Sequence, residues 1–199
     1  MGWPFPEIYV LRHGQTEWNA LGRFQGHQDS PLTDLGRQQA QAQGRILAGI
    51  ELSELLLISS PQGRALETAR LALGAQAHKL RTDDRLMEID VGAWTGADRD
   101  SLPAYPDLAE DPKGALEIYE NAPGGEGFDA LKQRCMSFLQ ELNRPAVLVT
   151  HGITSRMLRV LHLGLDIEDL GVIPGGQGNI HHLSSGSQTI LRAPEITTH

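Results

Sequence analysis

The sequence predicts an α/β fold, a three-layer sandwich whose mixed, mostly parallel sheet is covered by helices on both faces. Three apolar runs, Ile8 to Leu11, Leu55 to Ser59 and Ala146 to Thr150, are continuous blocks. Strands alternate apolar and polar residues when one face is wet; unbroken blocks indicate burial on both faces. Helical patterns follow all three runs, and this alternation of strand and helix is the order of an α/β sheet.

The first run ends in Arg12-His13-Gly14, within "VLRHGQTEWN". Thr33 is a suitable N-cap for a helix that would carry Leu35, Ala42, Ile46 and Ile50 on one face. After the second run, Pro61 is placed to open a helix at its first position, continuing through Ala65, Ala69 and Leu73. Between Val91 and Glu126 the chain turns rich in Gly, Pro and acidic residues. That stretch is too long for an ordinary connector, so residues 92–127 are expected to form a lid or insertion over one end of the sheet. Phe128, Leu131, Cys135, Phe138 and Leu142 read as one apolar helix face. Ile153, Met157, Val160 and Leu161 repeat the theme after the third run. His181 and His182 are adjacent, so in a strand they point to opposite faces. Residues 192–199 read as a loose tail.

At 199 residues the chain fits one domain, 1–199, with a sizeable core. A net charge of −8 excludes broad binding to nucleic acid or to acidic membranes, which requires a basic surface. No run approaches the ~20 apolar residues of a membrane span. The first ten residues lack the basic and apolar regions of a signal peptide, so a cytoplasmic location is expected. Cys135 is the only cysteine, which excludes an internal disulfide or a cysteine-rich metal site. A cysteine phosphatase would need an arginine six positions on, where Glu141 stands. No metal and no cofactor are expected. His78, His162 and His199 lack a ligand pattern, and the paired histidines cannot share one ion. No coiled-coil seam decides between monomer and homodimer.

The functional signal lies at the strand ends. Arg12, His13 and Gly14 end the first run, Ser59, Ser60 and Pro61 the second, with Arg64 in the next helical turn, and Thr150, His151 and Gly152 the third. Ligands of open α/β sheets bind outside the carboxyl ends of the strands. If the runs are neighbours, two histidines and two arginines converge there. Such groups repel one another unless an anion sits between them, and phosphoryl suits the arrangement.

The blocks "LRHGQTEWN", "GRFQGHQDSPLTDLGRQQA", "SSPQGRALETA", "LMEIDVGAWTG", "PGGEG" and "VTHG" resemble, in order, those of the histidine phosphatase superfamily. The likeness is to its phosphoglycerate-mutase-like branch and covers Ile8 to Arg156. It implies that His13 is the nucleophile and that Arg12, Arg64 and His151 form the phosphate pocket. Asn19 matches a further phosphate donor, Gln25 and Gly26 the next contact segment, and Gly152 completes the "VTHG" block. Glu88 matches the acid that protonates the leaving oxygen, for which partial burial should raise its pKa; nearby Asp90 is the alternative. Gln62 and Glu67 replace the family's frequent Leu and Gln, and both are expected outside the phosphate pocket. Gly127 replaces a serine.

The reading is a metal-independent phosphomonoester phosphatase that forms phosphohistidine on a small phosphorylated metabolite. Two alternatives stay open, mutase-type phosphoryl transfer and an inert phosphate-binding scaffold. Asp107, Glu110, Asp111, Glu117 and Glu120, relieved only by Lys113, make the lid acidic. An acidic lid disfavours a bisphosphate and therefore a mutase. Arg23, His27 and Arg99 are candidates to read the non-phosphate end of the substrate.

Overall fold

The computed structural model describes residues 4–102 and 114–193. Part of the expected lid, residues 103–113, and most of the expected tail, residues 194–199, lie outside them. Six strands, β1 (Ile8–Arg12), β2 (Leu56–Ser59), β3 (Arg81–Thr82), β4 (Ala146–Thr150), β5 (Ile180–Ser184) and β6 (Ser187–Leu191), form one sheet in the order β3-β2-β4-β1-β5-β6. The first four in that order run parallel, whereas β5 is antiparallel to both β1 and β6. The helices are α1 (Glu17–Ala20), α2 (Asp34–Leu47), α3 (Gly63–Leu73), α4 (Gly114–Glu120), α5 (Gly127–Glu141) and α6 (Gly152–Leu163).

Each central strand feeds two cores, because successive side chains leave a strand on opposite faces. Ile8 and Val10 of β1 and Ala146 and Leu148 of β4 pack with Leu131, Phe138, Met157 and Val160 of α5 and α6. Leu11, Val147 and Val149 face the other way, onto Leu47, Ala65, Ala69 and Leu73 of α2 and α3. All five residues of β4 are buried. Cys135 is fully buried in the α5 and α6 layer, where burial pushes its thiol up to about 12.

Two local expectations need correction. Thr33 does cap α2, accepting from the Gly36 amide at 3.0 Å. The buried face of that helix, however, is Gly36, Ala40, Gln43 and Leu47, and Leu35 is 48% exposed. Polar contacts rotate the helix. Gln43 Nε2 donates to the carbonyls of Arg12 (2.9 Å) and Asn179 (3.0 Å). Gly36 packs so closely on the loop after β1 that a Cβ on it would lie 2.0 Å from the Gln15 carbonyl oxygen. The second correction concerns α3, which begins at Gly63 with Gln62 as N-cap. Pro61 precedes the cap, and the Gly63 amide is held by the Asp29 carboxylate at 2.6 Å.

In the expected lid, short 3-10 turns at Gly92–Trp94 and Arg99–Ser101 precede α4. Phe24 packs between Trp94 and Tyr119, at ring-centroid distances of 6.3 and 5.4 Å, and docks this segment beside the carboxyl end of β1.

Candidate active site

The β1 and β4 register pairs Arg12 with Thr150, so the two strands end at the same level. The His13 amide donates to the Thr150 carbonyl (2.9 Å) and the Ser60 amide to the Val149 carbonyl (2.9 Å), which seats three loops side by side. One pocket opens there. Among its described lining residues are Arg12, His13, Asn19, Gln25, Gly26, Arg64, Glu88 and Gly152.

His13 is 2% exposed. Its Nδ1 lies 2.7 Å from the Gly14 carbonyl and donates to it, which leaves Nε2 as a bare lone pair. The loop is fixed from several sides. The Gly14 amide donates to Thr68 Oγ1 (3.0 Å), the Gln15 amide to Gln39 Oε1 (2.8 Å), and Gln177 Nε2 to the His13 carbonyl (3.0 Å). Asn19 accepts at Oδ1 from the Thr16 amide (3.2 Å) and from Gln177 (3.4 Å). Its Nδ2 is therefore the end left to donate.

The two arginines differ in state. Arg64 is buried, and four of its five N–H groups are committed, to His151 Nδ1, the Gln28 carbonyl, Asp29 Oδ1 and the Gly26 carbonyl. One N–H remains for a ligand. Arg12 Nε is buried without a hydrogen-bond partner, an arrangement that costs free energy until an acceptor arrives. A phosphoryl dianion would supply one. Burial lowers the pKa of both guanidiniums, and Glu88 opposes that effect.

His151 is fully buried and bonds to Arg64 at the edge of the pocket. Nδ1 accepts from Arg64 Nε at 3.2 Å, and Nε2 donates to Ser60 Oγ at 2.8 Å. Both ring nitrogens are engaged, so the ring's visible action is to aim Arg64. Its centroid lies 5.1 Å from that of His13.

Glu88 sits against the N-terminus of α6. Its carboxylate accepts from the amides of Ile153 (3.2 Å) and Thr154 (3.1 Å) and from Thr154 Oγ1 (3.1 Å). Glu88 is part-buried, as expected. The helix N-terminus supplies donors and a favourable dipole. A Cβ on Gly152 would lie 3.4 Å from both Arg12 Cζ and Glu88 Oε2, an ordinary contact, so Gly152 lies directly beside both groups. Asp90 is turned away, capping the Gly92 amide at 2.9 Å, and does not line the pocket.

Of the five acidic residues expected in the lid, Glu117 and Glu120 are described. Leu116 and Tyr119 of α4 line the pocket, whereas Glu117 and Glu120 line a separate cleft beside Phe128 and Ile167. Asp107, Glu110 and Asp111 lie outside the described residues. Arg23, Arg99 and Arg156 line the pocket as well, and Glu88 is the one carboxylate in its described lining. Arg99 lies 4.9 Å over the Phe24 ring. His27 instead donates to the Glu88 carbonyl (3.0 Å).

Sequence reasoning missed Asp29, Thr68, Arg156 and Gln177. Arg156 had a signal, lying one helical turn after Gly152 on the same face. Its Nη1 is anchored by the Leu170 carbonyl at 2.6 Å. The other three act through fold contacts that leave no local pattern. Gln62 does lie outside the pocket lining, as expected, but it is buried and bonded to two residues of the site. Glu67 pairs with Arg37 at 2.9 Å.

The burial has a pH consequence. His13 and His151 are held well below the ordinary histidine range, first by burial and next by Arg64. Burial, followed by Arg159 and Arg156, lowers His181 to about 3. In the folded chain these rings stay neutral, while unfolded histidines take up protons below about pH 6.5. Their contribution to stability is therefore complete above that value and is lost as pH falls from about 6.5 towards 3. Stability therefore rises with pH across that range. Thermal melts in non-binding buffers should show Tm falling between pH 7 and 5; a flat profile would contradict these environments.

The sequence profile of the histidine phosphatase superfamily (branch 1) matches residues 8–191. A glucosyl-3-phosphoglycerate phosphatase of Mycolicibacterium vanbaalenii is 36% identical over 189 residues, covering 86% of this chain and 80% of the relative. A probable phosphoglycerate mutase of Salmonella choleraesuis is 35% identical over 172 residues, covering 80% and 75%. A solved mycobacterial glucosyl-3-phosphoglycerate phosphatase, in complex with VO3, superposes with a TM-score of 0.74 at 28% identity, covering 95% of this chain and all of that one. The chain belongs to the histidine phosphatase superfamily, branch 1. Its relatives carry the names of phosphatases and of a probable phosphoglycerate mutase. No described helix is long and apolar enough to cross a membrane.

Proposed function

We propose that this chain hydrolyses phosphate monoesters without a metal, with His13 as nucleophile and Glu88 as acid and then base. The observation that carries this reading is the His13 ring, whose Nδ1 is committed to the Gly14 carbonyl and whose Nε2 is left bare in a pocket lined by Arg12, Arg64 and Glu88. In the first step the Nε2 lone pair forms the N–P bond as the ester P–O bond breaks. A protonated Glu88 gives its proton to the leaving oxygen. In the second, Glu88 takes a proton from water, the water oxygen bonds to phosphorus, and the N–P bond breaks. Arg12 and Arg64 hold the equatorial oxygens and supply the positive charge that a metal supplies elsewhere. Asn19 Nδ2 and the Gln25 side chain add donors.

Arg23, Arg99 and Arg156 in the same pocket favour a compact ester whose other end is anionic. This agrees with the phosphoglycerate portion in the relatives' names. The same arginines favour mutase-type transfer as a second reading. One experiment separates the two: turnover of nitrophenyl phosphate, 2-phosphoglycolate and ethyl phosphate in excess EDTA, with rapid-quench detection of acid-labile phosphate on His13. Metal-free release of inorganic phosphate, with phosphohistidine trapped and 2-phosphoglycolate preferred to ethyl phosphate, is expected. Activity lost to EDTA would overturn the metal-free mechanism. Phosphohistidine that turns over only when offered a phosphoglycerate acceptor would favour the mutase.

A further inference from the structure

Gln62 lies outside the pocket lining, yet its side chain touches the two halves of the site. Its Nε2 donates to the Gly26 carbonyl at 2.9 Å, the same oxygen that accepts from Arg64 Nη2 at 2.9 Å. Its Oε1 accepts from the backbone amide of Glu88 at 2.8 Å. The residue is 5% exposed, and its backbone is the N-cap of α3, the helix that carries Arg64 in its first turn. One amide therefore spans from the phosphate cradle to the residue that handles the proton.

The surroundings leave that amide little freedom. Gly26 is in the left-handed region at φ +51°, and a Cβ there would lie 2.8 Å from Val91 Cγ2. The Gly26 carbonyl is thus held from both sides. The Glu88 carboxylate is anchored by α6, but its backbone is joined to the α3 side of the site through Gln62. Misplacing a reacting group by about 1 Å can cost ~10²-fold in rate. The distance between Arg64 and Glu88 is what decides whether a proton arrives at the oxygen that leaves a phosphoryl group held by Arg64.

We propose that Gln62 is a positioning residue that sets the spacing between the phosphate cradle and Glu88, and so tunes proton delivery to the leaving group. The inference rests on the assignment of Glu88 as the acid. Removing Gln62 should resemble a mild loss of that acid. It should not resemble a loss of phosphate binding.

The test is Gln62→Met, which keeps the length and approximate volume and removes both hydrogen bonds. The readout is kcat/KM for ethyl phosphate against nitrophenyl phosphate, because nitrophenolate departs without a proton and an alkoxide does not. The expected result is a loss of about 10- to 100-fold on ethyl phosphate and less than about 3-fold on nitrophenyl phosphate. In a Glu88→Gln background, Gln62→Met should cost ethyl phosphate less than about 3-fold, since no acid remains to be placed. Equal losses on both esters, or an undiminished loss in the Glu88→Gln background, would show a merely structural role and overturn the proposal. If Glu88→Gln alone fails to discriminate between the esters, the acid assignment itself falls, which is a separate outcome. Should Gln62→Met be too unstable to assay, Gln62→Glu keeps an acceptor for the Glu88 amide and loses the donor to Gly26. A selective loss on ethyl phosphate would again support the spacing role, and an equal loss would overturn it.

Discussion

Replacing His13 with alanine should lower nitrophenyl phosphate turnover by at least about 10⁴-fold while the chain stays folded and still binds phosphate. The size of the loss follows from what surrounds the ring. Cys135 is buried in the α5 and α6 layer with its thiol pushed up to about 12, so it offers no thiolate. His151 has one nitrogen against Arg64 and the other against Ser60. Among the described lining residues there is no second histidine and no cysteine, and water would have to attack a phosphoryl group cradled for in-line attack by an imidazole. Arg12, Arg64 and Asn19 stay in place in the variant, so phosphate or vanadate should still raise its Tm. That retained binding separates a missing nucleophile from a collapsed site. Activity within about 10-fold of wild type would remove His13 from the role.

Glu88→Gln should reduce kcat/KM for ethyl phosphate by about 10²- to 10⁴-fold, the usual range for general acid catalysis, and for nitrophenyl phosphate by less than about 10-fold. The two steps of the reaction give this variant a second signature. In the proposed mechanism Glu88 is also the base for the attacking water, so breakdown of phosphohistidine should slow. Nitrophenyl phosphate should then give a burst of nitrophenolate, followed by slow turnover with phosphohistidine accumulating. Product inhibition should change in the opposite sense. Glu88 is the one carboxylate in the described lining, and neutralising it should tighten binding of inorganic phosphate. Uniform losses on both esters with no burst would assign the proton transfers elsewhere. Asp90 is a poor substitute, since its carboxylate caps the Gly92 amide.

The strand ends were legible because their signals are local. Continuous apolar runs mark strands buried on both faces, and Arg12-His13-Gly14, Arg64 and Thr150-His151-Gly152 stand at equivalent topological positions. The order β2-β4-β1 then brings those ends together. Elements whose orientation depends on a partner were read less well. The face of α2 is set by Gln43 reaching two carbonyls and by the close approach of Gly36 to the Gln15 carbonyl, neither of which shows in hydrophobic periodicity. In the lid segment, α4 presents Leu116 and Tyr119 to the pocket and turns Glu117 and Glu120 to another cleft.

By itself the sequence determined the layers of this protein and its family, because strand burial and motif spacing are properties of short stretches of chain. Only the tertiary structure decided that His151 aims Arg64, that α6 cradles Glu88, and that Arg156, Gln177 and Gln62 belong with the site. These are hydrogen bonds between groups distant along the chain, and their geometry exists only once the sheet has brought the loops together.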